Sequence, residues 1–173
     1  MFNPQMASSR EVFRSLMEEG VRSLPSEYLC NLMRLECEEI ALLAEENGET
    51  ADYVIESVIE AACEREELFL VLKDRIRNYW MELTEVPGGT HFEIVVRCAE
   101  FLAKYLGNAE PCLSDIRQLA ISEDWKDRLI AAWYLRDEEG VEETRIKELL
   151  RSDPFEDDNG FFLVREGAGF QEE

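Results

Sequence analysis

Along most of the chain apolar residues recur at steps of three and four, the period of one helix face, and nowhere do they alternate with polar residues over a useful length. Ser8 and Glu11 form a capping box ahead of a first predicted helix whose apolar positions are Val12, Leu16, Val21 and Leu24. After Pro25-Ser26, a second stripe of Leu29, Met33, Cys37, Ile40 and Ala44 runs to about Asn47-Gly48, a helix-ending pair. Thr50 can cap the longest predicted helix. Its stripe of Ile55, Val58, Ile59, Ala62, Phe69, Leu72, Ile76, Tyr79, Trp80 and Leu83 continues with one skip, at Glu66. "EVPGG" at 85–89 is a firm break. Thr90 and Glu93 then form a second capping box, for a helix ending at Gly107. Shorter helices follow at about 111–121, 123–136 and 141–151, with a last one after the turn "SDPFEDDNG". The pattern predicts an all-α fold of antiparallel helix pairs with no β-sheet. One helical domain over 1–173 is expected, with N-terminal helices in 1–86 and a second group in 90–173. In the second group Ala131, Trp133, Leu135, Ile146, Leu149 and Leu150 fall on inward stripes.

The C-terminal half also repeats itself. Aligning Arg128 with Arg165, an offset of 37 residues, places "DRLIAAWYL" over "VREGAGF", with Ala131 over Ala168 and Ala132 over Gly169. A weaker copy is "VVRCAEFLAKYL", with Val96, Arg97 and Ala99. An arginine followed by small residues, a second helix and an Asp-Pro turn resembles the HEAT-repeat family across residues 94–170. The resemblance implies helix pairs stacked as an α-α superhelix with a concave binding surface. In it the small residues let helices approach closely and the arginine bridges to carbonyls or acids of the adjoining repeat. Residues 1–90 show no matching motif, and their helices are degenerate repeats or a separate cap.

Charge changes the picture more than composition does. The chain of 173 residues is 46% hydrophobic, enough for a core, and carries a net charge of −21. That field disfavours direct binding to nucleic acid or an anionic membrane and attracts a basic partner. The charge is uneven: residues 1–35 are neutral, whereas 36–72 hold twelve acidic residues against Arg65 alone, a net of −11. Within that stretch Asp52, Glu56, Glu60, Glu64 and Glu67 follow one another at helical steps. Like charges at such spacing cost a helix about 0.2–0.5 kcal/mol per pair, a repulsion that a basic partner would relieve. These five residues are the candidate partner-binding face. Lys73, Arg75 and Arg77 form the most basic short patch.

Catalytic chemistry is sparse. His91 is the sole histidine, and its place inside a capping box favours a helix-start residue over a member of a catalytic triad. Gly88-Gly89 lacks the further residues of a phosphate loop, and "FEDDNGFFLVRE" has a partial calcium-loop spacing with Phe155 where a ligand is needed. Five cysteines without a CxxC pair read as small core side chains in a reducing compartment. With neither a basic-then-apolar leader nor an apolar run of membrane-spanning length, the cytoplasm is the expected location. The expectation is therefore a non-catalytic protein, without cofactor or metal, whose acidic face captures a basic protein as an immunity protein or inhibitor does. A repeat adaptor in an assembly, or a carboxylate- and metal-dependent hydrolase, are the alternatives. The oligomeric state is left open.

Overall fold

The computed structural model describes residues 14, 20, 24–35, 37–82, 91–109 and 111–170. The first capping box, most of the first predicted helix, Leu83, "EVPGG" and Thr90 lie outside the described residues, as do the side chains of Cys37, His91 and Glu93. The described residues are all-α, without a strand: α1 (Ser26–Leu32), α2 (Cys37–Glu46), α3 (Ala51–Glu64), α4 (Glu66–Glu82), α5 (His91–Asn108), α6 (Leu113–Ala120), α7 (Trp125–Leu135), α8 (Val141–Leu150) and α9 (Leu163–Gly167). The chain divides into two compact units, Met1–Met81 and Glu82–Glu173.

In the first unit α2 packs on α3 around Ile40, Leu43, Val58 and Ile59, all nearly inaccessible to solvent. At the end of α2, Gly48 takes φ 77°, its N–H donates to Glu45 O, and the Glu49 N–H donates to Ala44 O at 2.9 Å. This is the six-to-one and five-to-two closure that a left-handed glycine permits. Thr50 caps α3 as the sequence predicts, its Oγ1 accepting from the Tyr53 N–H at 3.2 Å.

The single helix expected from Thr50 onward is instead two. Arg65 is extended, at φ −127° and ψ 109°, and separates α3 from α4. The skip at Glu66 marks that break, and the apolar stripe resumes on α4 with Leu68, Phe69, Leu72, Ile76 and Trp80 buried. At the break, the Arg65 guanidinium donates to the Leu24 carbonyl at 2.6 Å. Arg75 donates to the Leu35 carbonyl at 3.0 Å, so both ends of the segment around α1 are tied to α4's side of the unit. Arg75 is half-buried, as is Lys73, leaving Arg77 as the exposed member of the expected basic patch.

The second unit is organised around α7, which packs against α5, α6, α8 and α9, while α6 also meets α8. Leu129, Ala131, Ala132 and Leu135 are fully buried. The two arginines of the sequence repeat converge on one residue. Arg128 binds both carboxylate oxygens of Asp153, through Nε at 2.6 Å and a terminal nitrogen at 3.2 Å, and donates to the carbonyls of Ser122 and Glu123. Arg165 donates from Nε to the Asp153 carbonyl at 2.6 Å. Beside this knot the rings of Trp125 and Phe155 stack with centroids 4.3 Å apart and planes 5° from parallel.

Small residues bring α9 onto α7, two residues earlier than the sequence alignment places them. The close approach is at Gly167, where a Cβ would stand 3.1 Å from Leu129 Cδ1 and 3.2 Å from Ala132 Cβ. Gly169, the aligned residue, instead takes φ 78° in open space and ends α9. Its N–H donates to Glu166 O and that of Phe170 to Arg165 O, repeating the closure at Gly48. The contacts do not establish the stacked superhelix implied by the resemblance, since among the described residues the five-residue α9 has no second helix paired to it.

The inward stripes hold for Ala131, Leu135, Ile146 and Leu150, whereas Trp133 is half-buried. Leu149 is a correction: it is 55% exposed, because α8 turns only a narrow face toward α6 and α7. Leu150→Ala should therefore destabilise by about 2–5 kcal/mol, and Leu149→Ala by no more than about 0.5 kcal/mol. Denaturant unfolding followed by tryptophan fluorescence checks the pair, and equal losses would contradict the assignment.

Candidate functional sites

The acidic stretch of the first unit is distributed over three helices rather than along one face. Asp52 and Glu56 on α3 are half-buried, Glu60 and Glu64 are exposed, and Glu67 is exposed on α4 beyond the break at Arg65. Asp52, Glu56, Glu60 and Glu64 each engage a neighbour. Glu67 accepts from the Ser26 hydroxyl at 2.8 Å. Its own backbone N–H and that hydroxyl hold the Glu67 carboxyl below the usual carboxylate range. The five residues thus do not lie along one helix: four belong to α3 and Glu67 to α4. On α3, Val54, Ile55, Ser57, Val58, Ile59, Ala61 and Ala62 are all enclosed, leaving only a narrow strip at the surface.

What surrounds the exposed acids is more informative. Glu38, Glu45 and Glu46 on α2 and Glu66 on α4 are exposed as well. The same three helices also carry apolar side chains open to solvent: Leu42 and Tyr53 at 57% and 48%, and Leu70 and Val71 at 55% and 57%. Leu70 and Val71 follow Glu67 by three and four residues, so acid and apolar groups share one face of α4.

A groove of about 770 Å³ lies in the second unit. It is lined by Val96 of α5, Trp133 and Arg136 at the end of α7, and the segment from Gly160 to Phe170. Phe161 and Phe170 remain partly exposed there. The turn before α9 is fixed by Asp157, whose Oδ1 accepts from the N–H groups of Asn159 at 2.9 Å and Phe161 at 2.7 Å. The turn uses Oδ1 of the carboxylate that the partial calcium-loop spacing would need as a ligand, while Oδ2 is buried without a hydrogen-bond partner among the described residues. Among the described residues no group of three or more His, Cys, Asp or Glu side chains is gathered to hold a metal ion. No helix among them is long and apolar enough to cross a membrane.

The sequence pattern missed this groove because "FFLVREGAGF" reads equally well as one more amphipathic repeat helix. The available signal was three phenylalanines around a helix of only five residues, too short to bury them all.

The cysteines need one correction. Cys98 is buried and Cys30 and Cys63 half-buried, but Cys112 is exposed as the N-cap of α6. Its sulfur pairs with the Ser114 hydroxyl and accepts from the Ser114 N–H at 3.3 Å. Those two hydrogen bonds, and one from the Asp115 N–H, hold the Cys112 thiol below its ordinary pKa. Burial pushes the Cys30 thiol up. Alkylation with iodoacetamide should modify Cys112 ahead of Cys30 and at lower pH, because the depressed pKa supplies thiolate there. Ser114→Ala should move its reactivity profile to higher pH. Mass spectrometry of the modified peptides checks both, and an unshifted profile would show that Ser114 does not stabilise the thiolate.

Comparison with protein-family models, with curated proteins and with solved structures finds no significant match to this chain.

Proposed function

We propose that this protein is a non-catalytic binding module whose first unit captures a basic protein, in the manner of an immunity protein or inhibitor. The observation that carries the reading is that the first unit exposes Glu60, Glu64, Glu66 and Glu67 and also Leu42, Tyr53, Leu70 and Val71, with Glu67, Leu70 and Val71 sharing one face of α4. A protein interface uses such a mixture: apolar side chains lose water on contact, and charges around them set the partner and the encounter rate. The net of −11 over residues 36–72 gives that surface its sign. HEAT-like stacking of the second unit remains part of the proposal, supported by α7 meeting both α5 and α9 while α6 meets α8. An adaptor reading is favoured by the groove of the second unit, which offers an assembly a second contact.

Capture from a lysate of the source cell at low and at physiological salt, with mass spectrometry of the bound proteins, tests the proposal. Basic proteins should dominate at low salt. The association rate of the captured partner should fall steeply as the Debye length shrinks from about 30 Å at 0.01 M to about 8 Å at 0.15 M. The Glu60→Gln, Glu64→Gln, Glu67→Gln variant should associate more slowly with little change in dissociation, and Leu70→Ser should dissociate faster. A bound set without basic bias, or a partner indifferent to both variants, would contradict the reading.

A further inference from the structure

The groove of the second unit carries chemistry opposite to that of the first. The Arg136 guanidinium lies over the Trp133 ring, 4.7 Å from its centroid, and among the described residues it has no hydrogen-bond or ion-pair partner. The Arg165 guanidinium lies 4.0 Å from the Phe162 centroid and spends Nε on the Asp153 carbonyl, leaving its two terminal nitrogens without an acceptor among the described residues. The carboxylate in the lining, Glu166, already engages a neighbour. In a chain with 39 acidic and 18 basic residues, a groove lined by two guanidiniums and a single carboxylate stands apart from the general charge of the protein.

From this we infer that the groove is a docking site for an acidic peptide segment of a partner protein, carrying one or two carboxylates beside an aromatic or leucine side chain. Stacking on a ring holds a guanidinium in place without using its N–H groups, which stay available as a fork for a carboxylate. The apolar part of the ligand is met by Phe161 and Phe170, which are 48% and 39% exposed. Both are held in position. Phe161 is bound through its N–H to Asp157 Oδ1 and through its carbonyl to the Asp157 N–H, and Phe170 follows the left-handed Gly169 that closes α9. Backbone fixed in this way leaves only the side-chain rotamers to be ordered on binding. A volume of about 770 Å³ accommodates two or three side chains of an extended peptide. The net charge of −21 sets the other limit, because a polyanion such as nucleic acid is repelled at long range, whereas a segment with one or two carboxylates meets the guanidiniums inside the screening length.

The test is fluorescence anisotropy of the full chain with a fluorescein-labelled Gly/Ser peptide carrying a central Phe-Glu-Glu-Leu, beside versions with Lys for Glu and Ala for Phe and Leu. The acidic apolar peptide should bind and the other two should not. Arg136→Glu and Phe161→Ser, both at exposed side chains, should each weaken binding about tenfold or more with an unchanged circular dichroism spectrum. Arg136→Gln should give an intermediate loss. Absence of binding, equal binding of the lysine peptide, or Arg136→Glu binding as the unmodified chain does would each overturn the proposal. Removing residues 171–173 should leave the affinity unchanged, and a tenfold gain would assign the groove to the chain's own C-terminal acids. Self-association in sedimentation that Arg136→Glu abolishes would assign it to a second copy. Either result would overturn the peptide-docking proposal.

Discussion

The second unit hangs on the carboxylate of Asp153. Its side chain is only 4% exposed, and burying a carboxylate costs several kcal/mol unless it is paired and its lone pairs are used. Arg128 meets it with two N–H groups and the Phe155 N–H adds a third at 3.0 Å. The rest of the Arg128 guanidinium satisfies the Ser122 and Glu123 carbonyls in the turn between α6 and α7. Arg165 reaches the backbone carbonyl of the same aspartate from α9. One residue therefore joins the turn before α7, the connection after α8 and the start of α9. The groove inherits its geometry from that junction, since Arg165 and the aromatic residues around α9 are held by it.

How much of this could be read in the residues varies with how local the cause is. The helix ends at Gly48 and Thr50 were legible because capping is chemistry between near neighbours. The pairing of Arg128 with Arg165 was legible as a motif, although not the fact that both would meet at Asp153. That depends on how the connection 151–162 folds back, which no spacing encodes. The break at Arg65 appeared only as a skip in the stripe, because what stabilises it is the Leu24 carbonyl, 41 residues away. Leu149 was misplaced because a helix packed on two neighbours buries a narrower stripe than its apolar residues mark out.

The acidic residues show the same limit in another form. Their number and clustering are plain in the sequence, and their regular spacing suggests a continuous rail. Burial of most of α3 and the break before α4 divide that rail into half-buried members, Asp52 and Glu56, and exposed ones, Glu60, Glu64 and Glu67. The useful feature of the surface is instead its mixture of acids with exposed Leu70 and Val71, since charge alone steers an encounter and apolar contact retains it. The second unit reverses the arrangement, with guanidiniums stacked on the half-buried rings of Trp133 and Phe162 in a groove that also holds exposed Phe161 and Phe170.

Amide hydrogen exchange in α7 and α9, measured for the unmodified chain, Arg128→Met, Asp153→Leu and the double variant, tests the role of Asp153 most directly. Arg128→Met leaves a buried carboxylate uncompensated, so the opening free energy of these amides should fall by about 3–5 kcal/mol. The double variant should recover most of that loss, because neither buried charge then remains. Losses that simply add in the double variant, or α9 amides that keep their protection in Arg128→Met, would contradict the account.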